Sequence, residues 1–415
     1  MVPQRLAPAQ PLVTTTLSSQ RNWKRLDGVD VLRGLAILFV LLNHVHMRLL
    51  IADVPYEAYI FKPLLASLVW NGQFGVQIFF AVSGFLITST ALRRWGTLGN
   101  VSLRDFYLLR VARIAPMLLA LLAVLTVLHY GNVPHFVVSR ETGGLGRALL
   151  AALTLHVNVL QAERGWLPAS WGVLWSLSVE EMFYLFFPLA ARFLTRSKLF
   201  TVVLLCFVAL GPFSRTVLAR GNEIWVEQSY LGGMDAIALG CLTALLVGRV
   251  CFSRTVLRGL AMAGTTLIAF IFVGLRLAYF PLITQSGLDM TIIALGTCMV
   301  IIAAAQTQWH GPRWLAPLLR LGQSSYEVYL THMFVVFAFF AIFVKCGSRI
   351  WAVPLLFVAT VGVAAVVGER VARWFSEPLN RRLRERWGEG RGRMGGATAS
   401  DFPPVASDDS RLRTH

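Results

Sequence analysis

Apolar residues fall in blocks of about twenty along most of the chain, beginning near residues 31, 72, 112, 174, 199, 232, 256, 289, 325 and 350. A helix needs about that length to cross a hydrocarbon core of ~30 Å. The pattern predicts an all-α fold, a polytopic transmembrane helix bundle of about ten spans. A weaker block at 147–161, RALLAALTLHVNVLQ, is short for a span and carries His156 and Asn158. Loop charge arbitrates. If that block does not cross, Arg21, Lys24, Arg25, Arg93, Arg94, Arg104, Arg110, Arg192, Arg196, Lys198, Arg249, Arg254, Arg258, Arg313, Arg320 and the tail from Arg370 all fall on one side. The positive-inside rule makes that side cytoplasmic. Both termini are then expected in the cytoplasm, with 131–173 an external or re-entrant loop.

Composition agrees with this reading. The chain has 415 residues, of which 56% are hydrophobic and 14% charged, and its mean hydropathy is +0.63. Soluble domains carry about 25% charged residues. The formal net charge of +17 is concentrated at the ends and in some of the loops. No basic stripe with interleaved aromatics lies outside the apolar blocks, so the lipid bilayer is an expected partner and nucleic acid is not. Five scattered cysteines (Cys206, Cys241, Cys251, Cys298 and Cys346) show neither a disulfide framework nor metal-ligand spacing. The polar start does not read as a signal peptide. Three parts are expected: a cytoplasmic polar lead over 1–25, a membrane domain over 26–380, and a Gly-, Arg-, Ser- and Pro-rich disordered cytoplasmic tail over 381–415.

Ionisable residues inside apolar blocks are costly and are read first as functional. Arg33 and His44 stand eleven residues apart in the first block. That spacing puts them on one helix face, about 16.5 Å apart along the axis. The ordinary alternative is a snorkelling arginine and a core histidine. His46 lies about 200° round the helix from His44 and is not its chelating partner. Arg110 and Arg113 are three apart, hence neighbours, near a cytoplasmic mouth. Together they could hold a phosphate-rich ligand, or serve only as a positive-inside anchor. Glu180 and Glu181 point about 100° apart, so one of them is expected to face a given site. An arginine or His44 is the expected partner. Trp171 and Trp175 suit an interface belt. Ser83, between Gly75 and Gly84, reads mainly as a packing residue, with a hydrogen bond to ligand as the lesser possibility. Glu327 and His332 open the block near 325, and Glu369, Arg370 and Glu377 close the last one.

Taken in order, these residues resemble the acyltransferase 3 family of integral-membrane acyltransferases, which includes bacterial O-antigen and exopolysaccharide O-acetylases. The likeness runs from about Leu26 to Pro378. Asp30, Arg33 and His44 fit the family's first-span pattern, and FFAVSGF its Ser-Gly-Phe stretch. Arg110, Arg113, Ile114 and Pro116 fit its paired arginines, and Trp175 to Glu180 its Trp-Ser-Leu-x-x-Glu stretch. Ser325, Tyr326, Tyr329 and His332 fit its late Ser-Tyr-x-x-Tyr-x-x-His, and Glu377-Pro378 its closing motif. There is one departure: Gly232, Gly233 and Met234 stand before Asp235, where members often carry an arginine. Some members append an extracytoplasmic esterase-like domain, for which this chain is expected to be too short.

The resemblance implies an enzyme of a bacterial inner membrane that moves an acyl group, most simply acetyl, from acyl-CoA to a hydroxyl of a carbohydrate or glycolipid. Acyl-CoA is then a co-substrate, with no tightly bound cofactor and no metal. Acyl transfer needs a base for the hydroxyl proton and positive charge near the developing oxyanion. His44 is the expected base, with Arg33 and Glu180 in the catalytic group. Arg110, Arg113 and Ser83 are expected on the donor, and Asp30, Trp175, Tyr326 and His332 in support. A transporter or flippase for a lipid-linked saccharide or amphiphile would also use buried Arg, His and Glu. It is disfavoured by the lack of an internal repeat.

Overall fold

A computed structural model describes residues 25–59, 62–195, 198–219, 221–275 and 280–388. Among these residues every regular element is helical, and ten helices are long and apolar enough to cross a membrane. The chain is an integral, multi-pass membrane protein. Its main helices are α1 (Asp27–Ile51), α2 (Gly72–Trp95), α3 (Leu103–Tyr130), α4 (Gly144–Leu153), α5 (Val157–Arg164), α6 (Leu174–Leu194), α7 (Leu199–Phe213), α8 (Tyr230–Arg249), α9 (Arg254–Ala269), α10 (Leu288–Thr307), α11 (Ala316–Gln323), α12 (Ser325–Lys345), α13 (Val353–Val371) and α14 (Glu377–Gly388), with short helical turns between some of them. The weak block at 147–161 is not one helix. It breaks between α4 and α5, where Leu155 takes a φ of 62°. Neither piece is long enough to span.

Lipid supplies no hydrophobic drive between helices, so close backbone approach does the packing. The α2–α8 crossing shows it best. A Cβ on Gly84 would strike the Ile237 carbonyl, and one on Gly240 would strike that of Ala81. Gly34 and Gly322 seat α1 on α11 in the same manner, and Gly264 and Gly296 seat α9 on α10. Helices α2 and α8 are the most enclosed spans, whereas α7, α9 and α13 present mostly outward apolar surface. The first span α1 touches α2, α10, α11, α12 and α13, so residues on most of its faces meet protein.

Three expectations are corrected. Trp171, just before α6, and Trp175, on its first turn, are core residues, 1% and 7% exposed, because neighbours cover them there; the Trp171 indole donates to the Phe136 carbonyl at 3.1 Å. The most exposed tryptophans among the described residues are Trp166, Trp314, Trp351 and Trp374. The polar end also stays ordered further than 381, since α14 continues to Gly388 and packs on α3. The lead to Lys24 and the rest of the expected tail lie outside the described residues. Third, the Ser83 hydroxyl makes polar contacts rather than filling a packing gap, as described next.

Candidate active site

The His44 imidazole is fixed by its own helix. Its Nδ1 lies 2.8 Å from the Val40 carbonyl, and a carbonyl only accepts, so Nδ1 carries the proton. Nε2 is left with its lone pair and makes no hydrogen bond among the described residues. That is the tautomer a general base requires. His332 of α12 is built alike: Nδ1 donates to the Tyr329 carbonyl at 2.6 Å, and its Nε2 is buried with no partner among the described residues. The two rings meet edge to face at 4.9 Å. Behind them the Tyr329 hydroxyl donates to the Val173 carbonyl at 2.9 Å and lies 2.7 Å from the Ser176 hydroxyl. Trp175, one residue before Ser176, packs edge-on against Phe80. His46 turns to the Tyr56 hydroxyl and the Trp70 ring, away from this pair.

Arg33 lies three turns back along α1. Its Nε donates to the Ser325 hydroxyl at 3.1 Å, and its Nη1 stands 3.8 Å from Asp30, which also receives Arg25 at 2.6 Å. On the adjoining helices the two arginines of α3 part company. Arg113 faces α12, 3.6 Å from Glu327 and over the Tyr326 ring, and the Glu327 carboxylate also accepts from Ser376. Arg110 faces α6, 2.7 Å from Glu181, 3.9 Å from Glu180 and 3.7 Å above the Tyr184 ring. The two guanidiniums therefore do not form one bidentate site; each has its own carboxylate and its own aromatic face.

This geometry also corrects the expectation that only one of Glu180 and Glu181 would face a site. Both carboxylates reach one nitrogen of Arg110, Nη2, which bonds Glu181 and lies near Glu180. Glu180 is further held by the hydroxyls of Ser83 and Tyr184. Tyr184 is four residues after Glu180, a spacing that places it on the same face and was readable in the sequence.

A fourth cluster escaped the sequence reading. Arg215 and Asp235 form a fully buried ion pair at 2.7 Å, with Thr291 donating to the carboxylate at 2.6 Å. Arg215 also donates to the Gly287 carbonyl at 2.8 Å. The arginine missing just before Asp235 is supplied from the end of the preceding span. A charged residue inside the apolar block FVALGPFSRTVL was the available signal.

With this geometry in view, comparison with known proteins is decisive for the family. The acyltransferase domain of that family matches residues 26–369. The chain belongs to the acyltransferase 3 family. It is similar to the O-acetyltransferase OatA of Staphylococcus aureus, 22% identical over 370 residues that cover 86% of this chain and 57% of the relative. It is also similar to the peptidoglycan O-acetyltransferase OatA of Listeria monocytogenes, 24% identical over 381 residues, covering 86% of this chain and 56% of the relative. The chain thus spans little more than half the length of these relatives. No solved structure matches it significantly. Within this acyltransferase 3 chain, Arg33, Arg110, Arg113, His44 and His332 all sit on helices inside the matched region.

Proposed function

We propose that this chain is a membrane O-acyltransferase of a bacterial inner membrane that moves an acetyl group from acetyl-CoA to a hydroxyl of a carbohydrate or glycolipid, with His44 as base. The name of the Listeria relative makes peptidoglycan the first acceptor to try. The observation that carries the reading is the locked His44 tautomer: an intramembrane imidazole with Nδ1 tied to the Val40 carbonyl and Nε2 open.

The chemistry follows from those atoms. The acceptor hydroxyl approaches Nε2 and loses its proton there as its oxygen attacks the thioester carbonyl. The tetrahedral intermediate collapses, the C–S bond breaks, and the imidazolium returns the proton to the departing thiolate. Free CoA thiol and an acyl ester result. Arg110 and Arg113, at the end of the bundle where the arginine-rich loops gather, would meet the phosphates of the donor. For that they must yield part of their present hold on Glu181 and Glu327, which leaves both carboxylates as internal placeholders for an anionic ligand. Arg33, tethered by Asp30 and Ser325, keeps positive charge on the His44 face of α1 between the two regions.

Thiol release and acetyl transfer should be followed with purified protein in detergent, using peptidoglycan fragments as acceptor. His44→Ala should remove turnover by a factor of about 10² or more, while acetyl-CoA binding persists. Arg113→Ala should weaken acetyl-CoA binding instead. An active His44→Ala enzyme overturns the base assignment. A folded wild type that binds no acyl-CoA overturns the donor and revives a transport role.

A further inference from the structure

Among the described residues, one cation on the His44 face has no counter-charge. Arg48 lies one helical turn beyond His44, at the end of α1 remote from Arg33. Arg33, Arg110, Arg113 and Arg215 each meet a carboxylate within 4 Å. Arg48, half-buried, makes no hydrogen bond or ion pair among the described residues; its guanidinium lies over the Phe337 ring at 5.3 Å. A half-buried guanidinium whose N–H donors meet no protein acceptor keeps them open to water or to an anionic ligand.

The surroundings are built rather than loose. Phe337 of α12 is also stacked by His135 from the connection between α3 and α4, with centroids 4.8 Å apart and planes 14° apart. His135 is exposed and holds a φ of 71°, a conformation that few non-glycine residues take. Its neighbours anchor it: the Ser170 hydroxyl donates to the His135 carbonyl at 3.1 Å, the Trp171 indole donates to the Phe136 carbonyl, and the Phe136 ring stacks on Phe334 at 5.4 Å. Desolvation, and then the Arg48 charge, lower the His135 pKa. Arg48, the His135 imidazole and the Phe337 ring thus stand together one helical turn beyond the base.

We infer that Arg48 is a specificity-determining residue that takes a carboxylate of the acceptor, so that the preferred acceptor is an acidic sugar whose free hydroxyl reaches His44. The Cα atoms of residues 44 and 48 are about 6 Å apart along the helix, within the reach of one substituted sugar ring. A planar fork of donors fits a carboxylate in a way a lysine ammonium does not. The inference rests on the acyltransfer reading and adds the charge of its acceptor. A phospholipid headgroup offers the same oxyanion chemistry. The paired histidines and the anchored connection beside Arg48 favour the acceptor.

The test uses a disaccharide bearing one carboxylate on its acceptor sugar and the matching carboxamide, with the full chain in nanodiscs of zwitterionic or anionic phospholipid. Binding is measured by calorimetry, and acetyl transfer separately. Wild type should prefer the acid over the amide by about ten- to a hundredfold in binding and in KM. Arg48→Gln should bring that ratio towards one, and Arg48→Lys should keep part of it, in both lipids. A wild type indifferent to the carboxylate, including one that binds neither sugar, overturns the inference. So does a preference that survives in Arg48→Gln or that follows lipid charge alone. The acyltransfer reading fails differently, by absence of thiol release with either sugar.

Discussion

At the level of single residues, the polar groups of this bundle are matched in sets, and the sets differ in what they can lose. Tyr184 gives Glu180 one hydrogen bond at 2.7 Å and gives Arg110 a ring face. Tyr184→Phe removes the first and keeps the second. It should cost about 0.5–1.5 kcal/mol of stability, read as a small drop in the thermal inactivation midpoint in detergent. Arg110→Ala leaves Glu181 and Glu180 without their cation, and breaking such a pair costs about 3–5 kcal/mol. Arg110→Ala should therefore inactivate far earlier on heating, and adding Glu181→Gln should restore part of the loss. Equal effects from Tyr184→Phe and Arg110→Ala would mean that the ion pair does not carry the set. Which residues were ionisable and misplaced for a membrane could be read from the sequence; which carboxylate met which guanidinium could not. Arg110 and Arg113 are neighbours on α3, yet different helices approach their two sides, and pair spacing is blind to that. The Arg48 environment was hidden for the same reason, since His135 and Phe337 lie far from residue 48 in the chain.

At the level of helices, the twenty-residue apolar period predicted all ten spans, because length and hydropathy suffice for that and need no partner. Packing depended on partners the period does not name. Gly240 and Gly248 both lie in α8. A Cβ at Gly240 would overlap the Ala81 carbonyl of α2, whereas at Gly248 it meets nothing within 4 Å. Gly240→Ala should force the α2–α8 crossing apart at a cost of about 1–3 kcal/mol. Gly248→Ala should be neutral or stabilising by up to about 1 kcal/mol, since alanine is the better helix former. Yield of monodisperse protein on size exclusion, with thermal inactivation, checks the pair. Similar behaviour of the two variants would contradict the crossing. The break at Leu155 shows the limit of the apolar period: hydropathy alone marked 147–161 as doubtful, and backbone geometry divided it into α4 and α5.

At the scale of the whole molecule, function turns on which end of the bundle faces the cytoplasm. Arg33, Arg110 and Arg113 lie towards the end where α1 and α3 begin, and Arg48 and His135 lie at the other. On the proposed reading, a donor made in the cytoplasm reaches the first group and a cell-surface acceptor the second. The expected orientation follows from the arginine-rich loops alone, and native cysteines can test it. Cys251 follows α8 and Cys346 follows α12; both are exposed, and with ten crossings they lie at opposite ends. In intact spheroplasts a membrane-impermeant maleimide should modify Cys346 and spare Cys251, and after permeabilisation both should react. Cys346→Ser should remove the first signal. The reverse order of labelling would put the Arg110 and Arg113 end outside, where acetyl-CoA is not made. The same chemistry would then have to run with its donor and acceptor sides exchanged.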